Sequence, residues 1–273
     1  MVFNSLQFVC FFLVVYSLYL MLGHRAQNRM LLVASYVFYG AWDWRFLSLI
    51  IVSTILDYTC GLKIYNSSAQ KKRRLYLSVS LFGNLSILGF FKYYDFFAQN
   101  LVVLLEQFDF SVQPHLLHVI LPVGISFYTF QTMSYTIDIY RKEMKPTKKF
   151  LDFALFVSFF PQLVAGPIER AKRLLPQILA PRKLELERIY QGCYLIFWGL
   201  FLKIFVADNM AALVDPVFSS SGEHYNGVKV LLATYAFAFQ IFGDFAGYSN
   251  MAIGLGKVMG FDLMLNFNLP YFA

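Results

Sequence analysis

An all-α, polytopic membrane protein is the fold class this sequence predicts, and three observations carry the prediction. The 273 residues are 58% hydrophobic and 14% charged, with mean hydropathy +0.56, whereas a soluble chain carries about a quarter charged residues. Phe and Tyr alone number 31 and 18, a composition that excludes a disordered chain, a nucleic-acid module and an ordinary soluble enzyme. Apolar runs also recur along the whole chain, divided by short clusters of charge. The expected architecture is one membrane domain over residues 1–273, with about seven transmembrane helices and one re-entrant segment.

Residues 1–24 contain no Asp, Glu, Lys or Arg. They lack a basic n-region and outrun the short apolar core of a secretory signal, so they read as a retained membrane helix. Charge-poor runs follow at 30–42, 46–56, 75–91, 110–137, 153–168, 189–202, 230–243 and 245–256. A perpendicular crossing takes about 20 residues, so several runs must borrow flanking turns, tilt, or stop part-way. Asp43-Trp44-Arg45 reads as a tight turn, and 93–117 and 208–228, which hold acids but no Lys or Arg, read as outside loops.

Sixteen of the 23 basic residues fall in three stretches, 63–74, 141–149 and 170–188. The positive-inside rule places all three in the cytoplasm. Only one apolar run, 150–168, separates the second stretch from the third, and a simple span would put them on opposite sides. The conflict resolves if 150–168 enters the membrane and turns back. Pro161 removes a helix hydrogen bond, and Gly166-Pro167 breaks the backbone again. Irregular backbone at membrane depth survives only where protein buries it or where it lines a wet cavity. A plain kinked span stays open as the alternative.

Polar groups inside apolar runs need a reason. Asp244 lies in Gly243-Asp244-Phe245-Ala246-Gly247-Tyr248-Ser249-Asn250, where an ionisable group costs several kcal/mol unless it is paired or wetted. Gly243 and Gly247 permit close backbone approach. Two readings stand together: the polar wall of a substrate tunnel, or a structural cluster with Asp244 capping a broken helix. Pro161, Gln162, Gly166 and Pro167 form a second constellation, closed by Glu169 and Arg170, which either clamp backbone or an anionic donor group or form a surface ion pair. Tyr128, Gln131, Tyr135 and Asp138, with Thr129, Thr132, Ser134 and Thr136, make one polar helix face, and helix-to-helix hydrogen bonding is the simpler use of it. His115 and His118 have helical spacing but no third metal ligand, His24 reads as interfacial and His224 as solvated, so no metal site is expected. Cys10, Cys60 and Cys193 have no paired spacing.

Three stretches taken together, Leu121–Tyr140, Phe159–Arg170 and Phe242–Ala273, resemble the membrane-bound O-acyltransferase superfamily, in particular its bacterial alginate O-acetylase-like branch. Met1–Phe8 and Tyr39–Trp44 look like that branch too. The resemblance implies a multi-spanning bacterial inner-membrane enzyme that passes an acyl group from a cytoplasmic thioester, acetyl-CoA or another donor, to hydroxyls of an exported polysaccharide such as alginate. Lipid and other polysaccharide acetylation or export proteins are the implied partners, with no bound cofactor. It also implies that Pro161, Gln162, Gly166, Pro167, Asp244, Gly247, Tyr248 and Ser249 line the cavity, with Glu169, Arg170 and Asn250 beside them. Family members usually carry Asp where this chain has Asn250. Their His, the general base for the sugar hydroxyl, follows the segment matching Asn266–Ala273. No catalytic residue is therefore assigned here, and the chain reads as the N-terminal portion of a longer acyltransferase. A transporter or channel, whose helices are also broken around intramembrane acids, and an inactive membrane scaffold remain the alternatives.

Overall fold

The computed structural model describes residues 1–108, 120–163, 166–219 and 225–266, which form helices and connecting turns without a strand. Four helical stretches among them are long and apolar enough to cross a membrane: His24–Asn66, Gln70–Glu106, Leu186–Ser219 and Gly227–Val258. Their outer surfaces expose large apolar side chains such as Val33, Phe82, Phe197 and Leu232. In water such a surface would be an aggregation liability; against lipid it costs nothing.

Helix α1 (Leu6–Met21) starts where the Ser5 hydroxyl accepts the Phe8 N–H. Helix α2 (His24–Asp43) follows almost at once. At Asp43 the carboxylate accepts the Arg45 N–H and pairs with its guanidinium at 2.5 Å. The expected tight turn is therefore a short 3₁₀ segment leading into α3 (Leu47–Asn66). Helix α4 (Gln70–Glu106) is longer than anticipated: residues 93–106, expected in a loop, continue it. No Gly or Pro lies in that stretch to stop the helix. Helix α5 (Ile125–Tyr140) comes next.

The segment expected to re-enter the membrane is two short helices, α6 (Phe150–Ser158) and α7 (Phe160–Leu163). Nine residues of α6 cover about 14 Å, too little for a crossing. Phe153, Leu155, Phe156, Val157, Phe159 and Phe160 have no exposure at all, so this interrupted segment is the centre of the core. Helix α8 (Ala171–Leu179) buries Ala171, Leu174, Leu175 and Ile178 and turns Lys172 and Arg173 outward, the one-sided pattern of a helix lying along a surface. The first basic stretch reaches the start of the second where Arg73 donates to the carbonyl of Tyr140, and Tyr58, just before the first, donates to the Lys148 carbonyl (2.8 Å). The second meets the third through Lys172 and Glu143 at 3.1 Å. All three basic stretches thus adjoin on one face of the molecule, as the turning-back of 150–168 requires.

Helix α9 (Leu186–Leu200) passes through a π-helical turn (Phe201–Ala207) into α10 (Asp208–Ser219). The start of the expected outside loop at 208–228 is thus helical. Helix α11 (Gly227–Val258) runs unbroken past Asp244, which corrects the reading of Asp244 as the cap of a broken helix. Its glycines serve packing instead. A Cβ on Gly199 would sit 2.5 Å from the Gly247 carbonyl oxygen, and one on Gly192 would sit 2.7 Å from that of Gly254. The two pairs are a heptad apart on each helix, so α9 and α11 run antiparallel in backbone contact. Small residues are how membrane helices reach that distance. Gly199→Ala and Gly247→Ala should each destabilise the protein by about 1–3 kcal/mol. Gly89→Ala, where a Cβ meets nothing within 4 Å, should cause no loss. Thermal unfolding in one detergent checks all three.

Candidate functional site

The break between α6 and α7 separates hydrogen-bonding pairs, and one of them is met entirely by side chains. In a continuous helix the Phe160 N–H would donate to the Phe156 carbonyl four residues back. Pro161 cannot extend α6, because it has no N–H and its ring would clash with the Val157 carbonyl four residues back, and the chain leaves the helix at Phe159, with φ −53°, ψ 109°. The freed Phe160 N–H donates to Ser35 Oγ on α2 at 3.1 Å. The freed Phe156 carbonyl accepts two side-chain amides, Gln131 Nε2 of α5 at 2.7 Å and Gln162 Nε2 at 2.8 Å. Three side chains from three elements repair the break in a place no water reaches. Gly166 closes the segment: a Cβ there would sit 2.4 Å from Gln162 Cα, so only glycine lets the chain fold back over α7.

From Gly166 the chain leads to Glu169, which is fully buried. Its carboxylate accepts the Met264 N–H, while its other oxygen has no partner among the described residues. Burial holds Glu169 above the ordinary glutamate range, against the lowering effect of the Met264 N–H and of Arg173. Arg170 points out and makes no ion pair with Glu169, so the surface-pair reading is corrected. Two residues before Met264, Asp262 exchanges a reciprocal pair with Gln177: N–H to Oε1 at 2.7 Å and Nε2 to carbonyl at 3.0 Å. Its carboxylate lies 3.5 Å from Arg188. The stretch after α11 is therefore pinned across α8 and the broken helix. Arg182 anchors the same corner, donating to Tyr19 Oη (2.7 Å), Asn28 Oδ1 (2.7 Å) and Gln27 Oε1 (2.9 Å), with Phe261 under its guanidinium. Burial depresses the Arg182 pKa, but its partners keep it charged.

Two hollows open beside this clamp. One, of about 480 Å³, is lined by Arg173, Arg182, Lys183 and Arg188 around Asp262. The other, of about 540 Å³, lies between Lys257, Leu195 and Leu263 and shares Arg173. Pro161, Gln162, Gly166 and Pro167 are buried beneath and line neither.

Asp244 belongs to a separate cluster. Lys203, on the π-helical turn, reaches Asp244 at 2.7 Å and Asp208 at 2.6 Å. The widened turn of a π-helix re-aims side chains, and such turns recur at functional sites. Tyr248 lies against Phe3 and donates to Asn4 at 3.5 Å. Ser249 is buried with its hydroxyl unpartnered among the described residues, Gly247 is spent on packing against α9, and Asn250 is half-buried.

The polar face of α5 is used between helices only in part: Gln131 reaches the Phe156 carbonyl, whereas the Tyr128 and Tyr135 hydroxyls and one Asp138 oxygen have no hydrogen-bond partner among the described residues. Thr132 and Thr136 meet Ser53 and Ser80, which join Asn84 around the fully buried Asp57. Asp57, Lys203 and Ser35 were not picked out as sequence candidates. For Asp57 and Lys203 a signal existed, a lone charge within an apolar crossing; for Ser35 there was none. His115, His118, His224 and residues 267–273, the end of the third resembling stretch, lie outside the described residues.

Comparison with known proteins adds to this geometry. The chain is 40% identical, over its whole length and 52% of the relative's, to the probable alginate O-acetylase AlgI of Pseudomonas aeruginosa. It is 35% identical to the peptidoglycan O-acetyltransferase of Helicobacter pylori, again over the whole chain and 57% of that protein. A more distant relative is the teichoic acid D-alanyltransferase of Bacillus subtilis, 30% identical over 55% of this chain and 38% of its own. No family model matches the chain. The chain spans about half the length of the curated relatives it matches whole.

Two consequences are measurable. Ser35→Ala leaves the buried Phe160 N–H without its acceptor and should cost about 1–3 kcal/mol in thermal unfolding, whereas Gln131→Leu leaves the Phe156 carbonyl still held by Gln162 and should cost about 0.5–1.5 kcal/mol. Because burial raises the Glu169 pKa above its ordinary 4.5, its contribution to stability is complete below that value and is lost as pH rises through the folded one. Glu169→Gln keeps an acceptor for Met264 and removes the titration. Its melting temperature should therefore fall less than the wild type's between about pH 5 and 8; equal slopes would refute the assignment.

Proposed function

We propose that this chain is the membrane-embedded portion of an O-acyltransferase of the bacterial inner membrane. It passes an acetyl group from a cytoplasmic thioester to hydroxyls of an exported polysaccharide such as alginate. The observation that carries the reading is the whole-chain match to O-acetyltransferases of two polymers. The gathering of the three basic stretches on one face supports it, because the positive-inside rule turns that face to the cytoplasm, where the donor is. In the hollow beside Asp262 and Glu185, Arg173 and Lys183, which no acid pairs among the described residues, suit the phosphates of acetyl-CoA or of a carrier-borne thioester. The clamp made by Glu169, Gln177 and Arg188 sets the direction in which the chain leaves α11 toward residues 267–273, after which the resemblance expects the general-base His. In this reading Pro161, Gln162, Gly166 and Pro167 hold the floor of the acyl path rigid. Asp244, Tyr248, Ser249 and Asn250 supply polar groups along α11. Other acetylation and export proteins would take the polymer onward.

The test is acetyl transfer to alginate in membranes carrying the full-length protein and a labelled acetyl thioester. Arg173→Gln with Lys183→Gln should raise the KM for the donor about tenfold, the equivalent of ~1.4 kcal/mol of lost charge-assisted contact, and change kcat less. Polymer flux without donor would favour the transporter reading and overturn this one, as would transfer indifferent to the protein.

A further inference from the structure

On the opposite flank of α2, two cavities meet at one residue. The first is an apolar groove of about 650 Å³ between α1 and α2. Its lining runs from Leu18 and Arg29 at the basic end, through Val14 and Val33, to Val37, eight residues or about 12 Å along α2. Val14, Leu18, Val33 and Val37 are all exposed on it. The second is a polar hollow of about 490 Å³ lined by His24, Arg25, Arg29 and Lys149. Arg29 is common to both.

The charges in the hollow are not consumed by the protein. Among the described residues neither Arg25 nor Arg29 has an acidic partner within 4 Å. The one acid there, Asp152, already accepts the Asn28 amide at 3.0 Å and lies 3.9 Å from Lys149. Helix α2 also begins here without a side-chain cap, so its first N–H groups add positive potential. A hydrocarbon slot that ends at an unpaired guanidinium, flanked by further cations at the membrane edge, fits a molecule with an acyl chain on a phosphate. We infer that this flank is a binding site for one anionic phospholipid, its chain in the α1/α2 groove and its phosphate on Arg29 and Arg25. The hollow touches the corner held by Arg182 only through Asn28, and Arg25, Arg29 and the α1/α2 groove line neither hollow around Asp262, so substitutions there test the site apart from the acyltransfer reading.

Native mass spectrometry of the full-length protein, delipidated in detergent and titrated with dioleoyl phosphatidylglycerol or dioleoyl phosphatidylcholine, tests this. Phosphatidylglycerol should be retained in preference, and Arg29→Gln should weaken its retention about fivefold, with Arg25→Gln adding a similar loss. Val33→Trp, which fills the groove from an exposed position, should displace both lipids while leaving the melting temperature unchanged. Glycerophosphoglycerol, the headgroup without chains, should not bind measurably; binding equal to that of the lipid would make this a phosphate site and overturn the proposal. Equal retention of the two lipids would overturn it, as would indifference to Arg29→Gln. A dimer dissolved by Val33→Trp would overturn it too, by assigning the groove to a second copy.

Discussion

The structure depends on how one broken hydrogen bond is repaired. Separating the Phe160 N–H from the Phe156 carbonyl at the centre of an anhydrous core would cost several kcal/mol if left unmet. Ser35, Gln131 and Gln162 meet it. Because they come from α2, α5 and the broken segment itself, the repair joins those elements at a single point. It also turns the chain back toward the face it came from. The adjacency of the second and third basic stretches, the position of α8, and the buried approach to Glu169 all follow from that return.

Around this point, polar groups are handled in two ways. Asp57 is surrounded by neutral donors, the Ser80 hydroxyl and the Asn84 amide, so that α3, α4 and α5 are joined by hydrogen bonds instead of by an ion pair. Lys203 and Arg182 take the other course. Lys203 bridges two acids across α10 and α11, and Arg182 spreads its donors over three side chains of α1 and α2. Hydrophobic packing alone gives membrane helices little preference for one partner over another; these bonds supply it.

Much of this was legible in the residues. Composition and run length announced a helical membrane protein, and the parity of the basic stretches demanded that 150–168 turn back. Pro161 and Gly166 marked where. The turn at Asp43 and the interhelical bonds of Gln131, Thr132 and Thr136 on α5 were also readable. Less legible was anything requiring knowledge of which helix lies beside which. Gly243 and Gly247 were recognised as small, but Gly192, Gly199 and Gly254 acquired meaning only opposite them. Asp244 looked like a cap because its partner, Lys203, is 41 residues away in sequence and adjacent only after α9 and α11 pair.

By itself, then, the sequence determined the solvent of this protein, its helical class and where 150–168 breaks, because hydropathy, charge and backbone breakers act locally and by position along the chain. Tertiary structure alone decided who satisfies whom. Ser35 is an unremarkable serine until the freed N–H of Phe160 arrives beside it, and Glu169 is a surface-looking charge until Met264 donates to it. Hydrogen bonds and backbone contacts of that kind have a range of a few ångströms, and no pattern in the chain encodes proximity between residues a hundred positions apart.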